Sequence, residues 1–176
     1  MLQIKKLQNE EKQMQFSRKI YENCFPEEER RDFSKLIEVY NNELLELNLI
    51  YKNNEFVGIL NYWQFSKFLY IEHFAIDLKH RNQKIASNIL SMLSKDNPLI
   101  ILEVELPTDE ISKKRIQFYQ RAGFRILPFA YCQPPYRKGE KEVEMHIMTN
   151  AKNTIEESQF KEIKEELRKK VYEKFW

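Results

Sequence analysis

The sequence predicts an α/β domain of the α+β kind. Its centre is a mixed, mostly antiparallel sheet of about seven strands with helices on its faces, and an extra amphipathic helix ends the chain. Three observations carry this. Apolar residues recur at helical spacing in some segments and alternate in others, so both periods are present. The elements fall in the order β-α-α-β-β-β-α-β-α-β-β-α, with three strands in succession. A dinucleotide-binding fold would alternate strand and helix from the start and place GxGxxG after its first strand, and neither feature is found.

Leu2 to Leu7 alternates and reads as a first strand. From Glu10 to Phe25, Phe16, Ile20 and Cys24 recur at spacing four and predict a helix. Pro26 and the acidic run Glu27-Glu28-Glu29 suit a second helix start, where carboxylates meet the positive end of the dipole. Phe33, Leu36, Ile37 and Tyr40 give its apolar face. LELNLIYKN and EFVGILNYWQF, split by Lys52-Asn53-Asn54, form a predicted β-hairpin, and FLYIEHFAID follows as a third strand.

A polar loop then opens a helix whose face is Ile85, Ile89, Met92 and Leu93, broken by Asp96-Asn97-Pro98. LIILEVE is a nearly continuous apolar run, as in a central strand. Asp109 to Ala122 is helical, with Gly123 at the C′ position and Phe124 packing back. RILPFAYCQ and VEMHIMT are strands joined by the loop QPPYRKGEK. The division is a domain over residues 1–152 and a C-terminal helix over 153–176. Phe160, Ile163, Leu167, Val171 and Phe175 mark the face of that helix, which packs either on its own domain or at a homodimer interface.

With 176 residues, 42% of them apolar and 32% charged, the chain suits one soluble domain. A net charge of +2 does not suggest a nucleic-acid partner. Cys24 and Cys132 lack metal-ligand spacing and read as half-buried thiols. His73, His80 and His146 form no cluster, so no metal is expected. No signal peptide or membrane-length apolar run is seen, and a cytoplasmic location without a membrane partner is expected.

The segment FAIDLKHRNQKIASNIL runs from a buried strand through a glycine-free turn into a helix. A helix start offers unpaired N–H groups and a positive dipole end to a phosphate. This segment, then LIILEVE, then RIQFYQRAGF, resembles the acetyl-CoA-binding core of the GNAT acetyltransferases over roughly residues 2–150. Arg81 and Ala86 match the first and last positions of that family's Arg/Gln-x-x-Gly-x-Gly/Ala signature, while Lys84 stands where glycine is usual. Tyr119, Gly123 and Phe124 match its Tyr-x-x-x-Gly-Phe helix end. Ser112 replaces an asparagine often found seven residues before the tyrosine. The ordering of PEEERR, YIEHFAI, LEVELP, RIQFY and QPPY is similar to that of a bacterial GNAT subgroup.

The resemblance implies a GNAT fold and an N-acetyltransferase that moves the acetyl group of acetyl-CoA to an amine by direct attack. It places the pantetheine arm beside Phe74, Ala75 and Ile76. It places the pyrophosphate on the backbone N–H groups from Gln83 through Lys84, Ile85 and Ala86 to Ser87, with Arg81 adding charge. Ser112 and Phe118 complete the implied cofactor set. Tyr119 occupies the family's acid position. Glu103 resembles the base position of ribosomal-protein alanine acetyltransferases, and Glu72 is a second candidate on the neighbouring strand. Glu105 lies two residues on from Glu103, on its strand face, and His73 alternates to the face opposite Glu72. The carboxylates favour a cationic small-molecule or peptide acceptor. Trp63, Tyr131 and Tyr136 either wall its pocket or are ordinary sheet residues. The alternative function is a non-catalytic module on the same fold that binds acyl-CoA or a partner.

Overall fold

The structure is a computed structural model that describes residues 1–42 and 44–175. Its strands are β1 (Leu2–Lys6), β2 (Leu45–Lys52), β3 (Glu55–Gln64), β4 (Leu69–Ile76), β5 (Ile100–Glu105), β6 (Arg125–Ile126), β7 (Tyr131–Gln133) and β8 (Val143–Thr149). Its helices are α1 (Glu11–Cys24), α2 (Phe33–Asn42), α3 (Ile85–Asp96), α4 (Glu110–Arg121) and α5 (Glu157–Glu166). The last continues as a π-helical stretch, Leu167–Tyr172, and a final 3₁₀ turn. Trp176, where the expected tail helix ends, lies outside the described residues.

The sheet order is β1-β2-β3-β4-β5-β8-β6, with β7 also pairing with β8. All pairs are antiparallel except β4–β5. RILPFAYCQ is not one strand. It divides into β6 and β7 around Pro128, which has no N–H to give a ladder, so the sheet has eight strands where about seven were expected. The acidic run Glu27–Glu29 is likewise a separate 3₁₀ turn, and α2 begins only at Phe33.

The β2–β3 hairpin closes on Asn53 and Asn54, both left-handed at φ 50° and 66°. Asparagine tolerates that conformation, which matches the strand twist. At Gly58 of β3, a Cβ would lie 2.4 Å from the Ala75 carbonyl of β4, so only glycine permits this approach.

Each sheet face carries its own core. One holds Leu47, Ile59, Tyr70 and Ile147 under α1, α2 and the C-terminal helix, which contributes Phe160, Ile163, Leu167, Val171 and Tyr172. The other holds Leu60, Ile71, Leu102 and Met148 under α3 and α4. No helix of the described residues is long and apolar enough to cross a membrane.

Two irregularities shape the site. In β3–β4 the register passes from Asn61↔His73 to Tyr62↔Ile71, so Glu72 is an extra residue in a β-bulge. The alternation rule therefore fails here, and His73 joins Glu72 on the α1 side, against Tyr21, Phe25 and Tyr136, instead of facing away from it. The parallel β4–β5 pairing joins Leu69–Ile71 to Ile100–Leu102, with no further pair between these fully described strands. Beyond it, β5 stays on β8 and leaves the C-terminal half of β4 to border an opening.

Candidate active site

The opening is a cleft of about 960 Å³. Ile71 to Ile76 of β4 form one wall, Leu102, Glu103 and Glu105 of β5 line it too, and Arg115, Phe118 and Tyr119 of α4 form a third side. The turn before α3 lies at one end, and Phe25, Pro26 and Glu29 overhang it.

The α3 turn is built without glycine. Asn82 and Lys84 both adopt left-handed backbone, at φ 63° and 57°. Lys84 thus occupies the conformation that glycine takes without steric cost. It is also the N-cap of α3, and its carbonyl accepts from Asn88 N at 3.1 Å and from Ser87 Oγ at 2.9 Å. The first N–H groups of the helix have no partner one turn earlier. Arg81 folds back toward β4, its Nε donating to the Ile76 carbonyl at 3.3 Å. Arg81, Lys84, Ile85, Ala86 and Ser87 line the cleft, as do Phe74, Ala75, Ile76 and Phe118. Gln83 and Ser112 are not among the lining residues. The Gln83 carboxamide instead accepts from Lys52 Nζ at 2.6 Å. The Ser112 hydroxyl closes the Asp109 capping box of α4, donating to Asp109 at 3.0 Å. In this structure the hydroxyl serves the start of α4.

Tyr119 is held by the other end of α4. Gly123, at φ 89°, donates to the Gln120 carbonyl and Phe124 N donates to the Tyr119 carbonyl, both at 3.0 Å. That Schellman arrangement folds the Phe124 ring against Tyr119, with centroids 5.9 Å apart. Burial pushes the Tyr119 hydroxyl up to about 12, so it stays protonated through the physiological range. The charged groups acting on it are Arg115 and Glu105, which form an ion pair at the cleft edge.

The two carboxylates expected to supply a base belong to cleft-lining residues, but their oxygens are engaged by the chain itself. Glu72 is paired with the buried Arg31 and accepts from Trp63 Nε1 at 2.7 Å. Burial would raise its carboxyl, but the Arg31 guanidinium overrides this and holds it below the ordinary range. Arg31 also donates to the Val171 carbonyl of the C-terminal helix and lies over the Tyr136 ring at 4.7 Å. Glu103 accepts from four donors: Tyr70 at 2.8 Å, Tyr172 at 2.7 Å, Tyr131, and Gln133. Burial still raises its carboxyl, since those neutral donors bring no positive charge. Of the three aromatic wall candidates, Tyr136 lines the cleft, while Trp63 and Tyr131 serve the two carboxylates.

Nothing in the sequence marked Arg31, Tyr70, Gln133 or Tyr172 as parts of one cluster, because they come from separate elements. The nearest signal was PEEERRDF, an arginine pair before a helix.

Comparison with known proteins bears on this geometry. Residues 45–126 match the family model described as acetyltransferase (GNAT) domain. A solved structure from Bacteroides thetaiotaomicron, provisionally described as a GNAT-family acetyltransferase, is 32% identical. The match covers 97% of this chain and 98% of that one, with a TM-score of 0.89. The chain belongs to the GNAT acetyltransferase family.

The match is long enough to include the C-terminal helix as well as the GNAT core. YjbC of Bacillus subtilis, provisionally named an acetyltransferase, is 34% identical over 70 residues, which is 38% of this chain and 36% of YjbC. The chain thus spans about a third of that curated relative. Naa50 of Arabidopsis thaliana, in complex with the bisubstrate analogue CoA-Ac-MVNAL, shares the GNAT fold. It has a TM-score of 0.59 and 17% identity over 88% of this chain and 99% of its own.

Proposed function

We propose that this chain is an acetyl-CoA-dependent N-acetyltransferase that acts by direct attack of an amine on the thioester. The observation that carries the reading is the divergence of β4 from β5 beside a buried, protonated Tyr119. The stretch from Phe74 to Ile76 pairs with β3 but not with β5, and its edge toward β5 offers main-chain groups to the pantetheine arm, as to an added strand. The start of α3, with Lys84 and Arg81 beside it, offers N–H groups and positive charge to the pyrophosphate. A cleft of about 960 Å³ has room for a ligand of this size. Tyr119 then gives its proton to the departing thiolate.

The acceptor end is bounded by Glu29, Glu105 and Tyr136, which suits an amine that arrives as a cation. Naa50's analogue carries a peptide and is consistent with an amine acceptor class, without naming this chain's acceptor.

The test is release of coenzyme A thiol from acetyl-CoA in the presence of spermidine, kanamycin and an alanine-initiated peptide amide. The reading requires amine-dependent release with at least one of them. Tyr119→Phe should reduce turnover by roughly 10²-fold, the scale of a lost acid, with coenzyme A affinity little changed. Coenzyme A binding without amine-dependent release would favour the non-catalytic module.

A further inference from the structure

We propose that Glu29, on the turn between α1 and α2, is the catalytic residue that takes the proton from the incoming ammonium. This deepens the acetyltransferase reading and rests on it. Glu103 and Glu72 resemble bases by their strand positions, but each carboxylate is already occupied. Four donors converge on Glu103, and Glu72 is paired with Arg31 and Trp63. A base needs a lone pair that the substrate can reach.

Glu29 is half-buried and lines the cleft, with neither a hydrogen bond nor an ion pair on its carboxylate among the described residues. Its place is fixed by the backbone. Its N–H donates to the Pro26 carbonyl at 3.0 Å, and its own carbonyl meets His73 Nε2 at 3.2 Å. A carbonyl only accepts, so that nitrogen carries the His73 proton. His73 comes from the bulged stretch of β4, so the bulge that buries Glu72 also brings up the group that anchors Glu29. Further out, Arg137 holds the turn through the Glu27 carbonyl at 3.0 Å and Asp32 at 2.9 Å.

The charged groups facing Glu29 are Glu105 from β5, Arg115 from α4 and its neighbour Glu28. Glu105 and Arg115 also act on Tyr119, which places Glu29 and the acid around one point of the cleft. Burial and Glu105 raise the Glu29 carboxyl, which brings it closer to the affinity that a base needs near neutral pH.

In the step, the ammonium N–H bond breaks and its proton passes to Glu29. The freed amine nitrogen forms its bond to the thioester carbon, and the C–S bond breaks. The thiolate takes the Tyr119 proton, and the new amide nitrogen returns one to Tyr119. One proton is released overall, through Glu29 to solvent, and nothing is oxidised or reduced.

The experiment measures kcat/KM from pH 6 to 10 with spermidine and the alanine peptide amide, in the wild type, Glu29→Gln and Glu29→Asp. The wild-type acid limb should fall through a value above the ordinary carboxylate range. Glu29→Gln should lose roughly 10²-fold near pH 7. The loss should shrink toward the amine's own pKa, where free amine needs no base. Glu29→Asp should retain most of the rate, and both variants should keep the wild-type melting temperature and coenzyme A affinity. A Glu29→Gln profile that superimposes on the wild type, or a deficit equal at every pH, overturns the proposal and leaves the transferase reading standing. No transfer by the wild type to either amine is a separate result and removes both.

Discussion

Two polar regions meet at the divergence of β4 and β5, and they are built in opposite ways. On the inner side, both carboxylates are answered from within the chain: Glu72 by Arg31 and Trp63, Glu103 by three tyrosines and Gln133. On the cleft side, some polar groups are left free. The start of α3 keeps its N–H groups open, and Glu29 has no partner among the described residues. The same residue type thus does different work according to its donors. A carboxylate with a full set of donors specifies packing, whereas one on the cleft without a partner can exchange a proton. The C-terminal helix belongs to the first kind, since Val171 and Tyr172 contribute to both networks.

The contrast can be broken most forcibly at Arg31. Arg31→Met removes the charge and leaves Glu72 buried without its ion partner, a loss on the scale of about 3–5 kcal/mol. Urea denaturation at pH 7 should show it. The folded Glu72 carboxyl lies below its unfolded value, so its contribution is present above the unfolded carboxylate range and is lost as pH falls through the folded value. The gap between variant and wild type should therefore narrow in acid. A gap that ignores pH would assign Arg31 a packing role on Tyr136 alone.

A smaller effect is expected at Tyr172. Tyr172→Phe keeps the ring but withdraws a donor from Glu103, which should destabilise the fold by about 1.5–3 kcal/mol. Coenzyme A affinity should be unchanged, because Tyr172 is not among the residues that line the cleft. Weaker coenzyme A binding in this variant would mean that the two regions are not separate.

The smallest effect falls on the open side. Lys84→Gly relieves a left-handed lysine, and the fold should gain about 0.5–1 kcal/mol after glycine's own entropy cost. The lost charge should weaken coenzyme A binding severalfold at low salt, with the difference fading at high salt. Destabilisation would instead show that Lys84 makes a contact worth more than the strain.

Much of this was legible in the residues. The Asn53-Asn54 turn, the Gly123-Phe124 helix end and the α3 turn each depend on local conformation, and local conformation is written in adjacent residues. The bulge at Glu72 was not legible, because alternation assumes an unbroken ladder, and one extra residue moves His73 to the other face. The cage around Glu103 was illegible for a different reason. Tyr70, Tyr131, Gln133 and Tyr172 lie on three elements, β4, β7 and the C-terminal helix, and only the folded sheet and the docked helix bring them to one carboxylate. Glu29 was hidden in an acidic run that reads equally well as a helix start.

The central claim is that the open end of α3 takes the phosphates of coenzyme A although no glycine lies in its turn. Titration calorimetry of coenzyme A against the wild type and Ala86→Glu tests it most directly. Ala86 lines the cleft on the first turn of α3, so a glutamate there sets bulk and negative charge against the pyrophosphate. The account predicts saturable wild-type binding and near-complete loss in Ala86→Glu at an unchanged melting temperature. No wild-type binding at millimolar coenzyme A, or equal affinity in the two proteins, would contradict it.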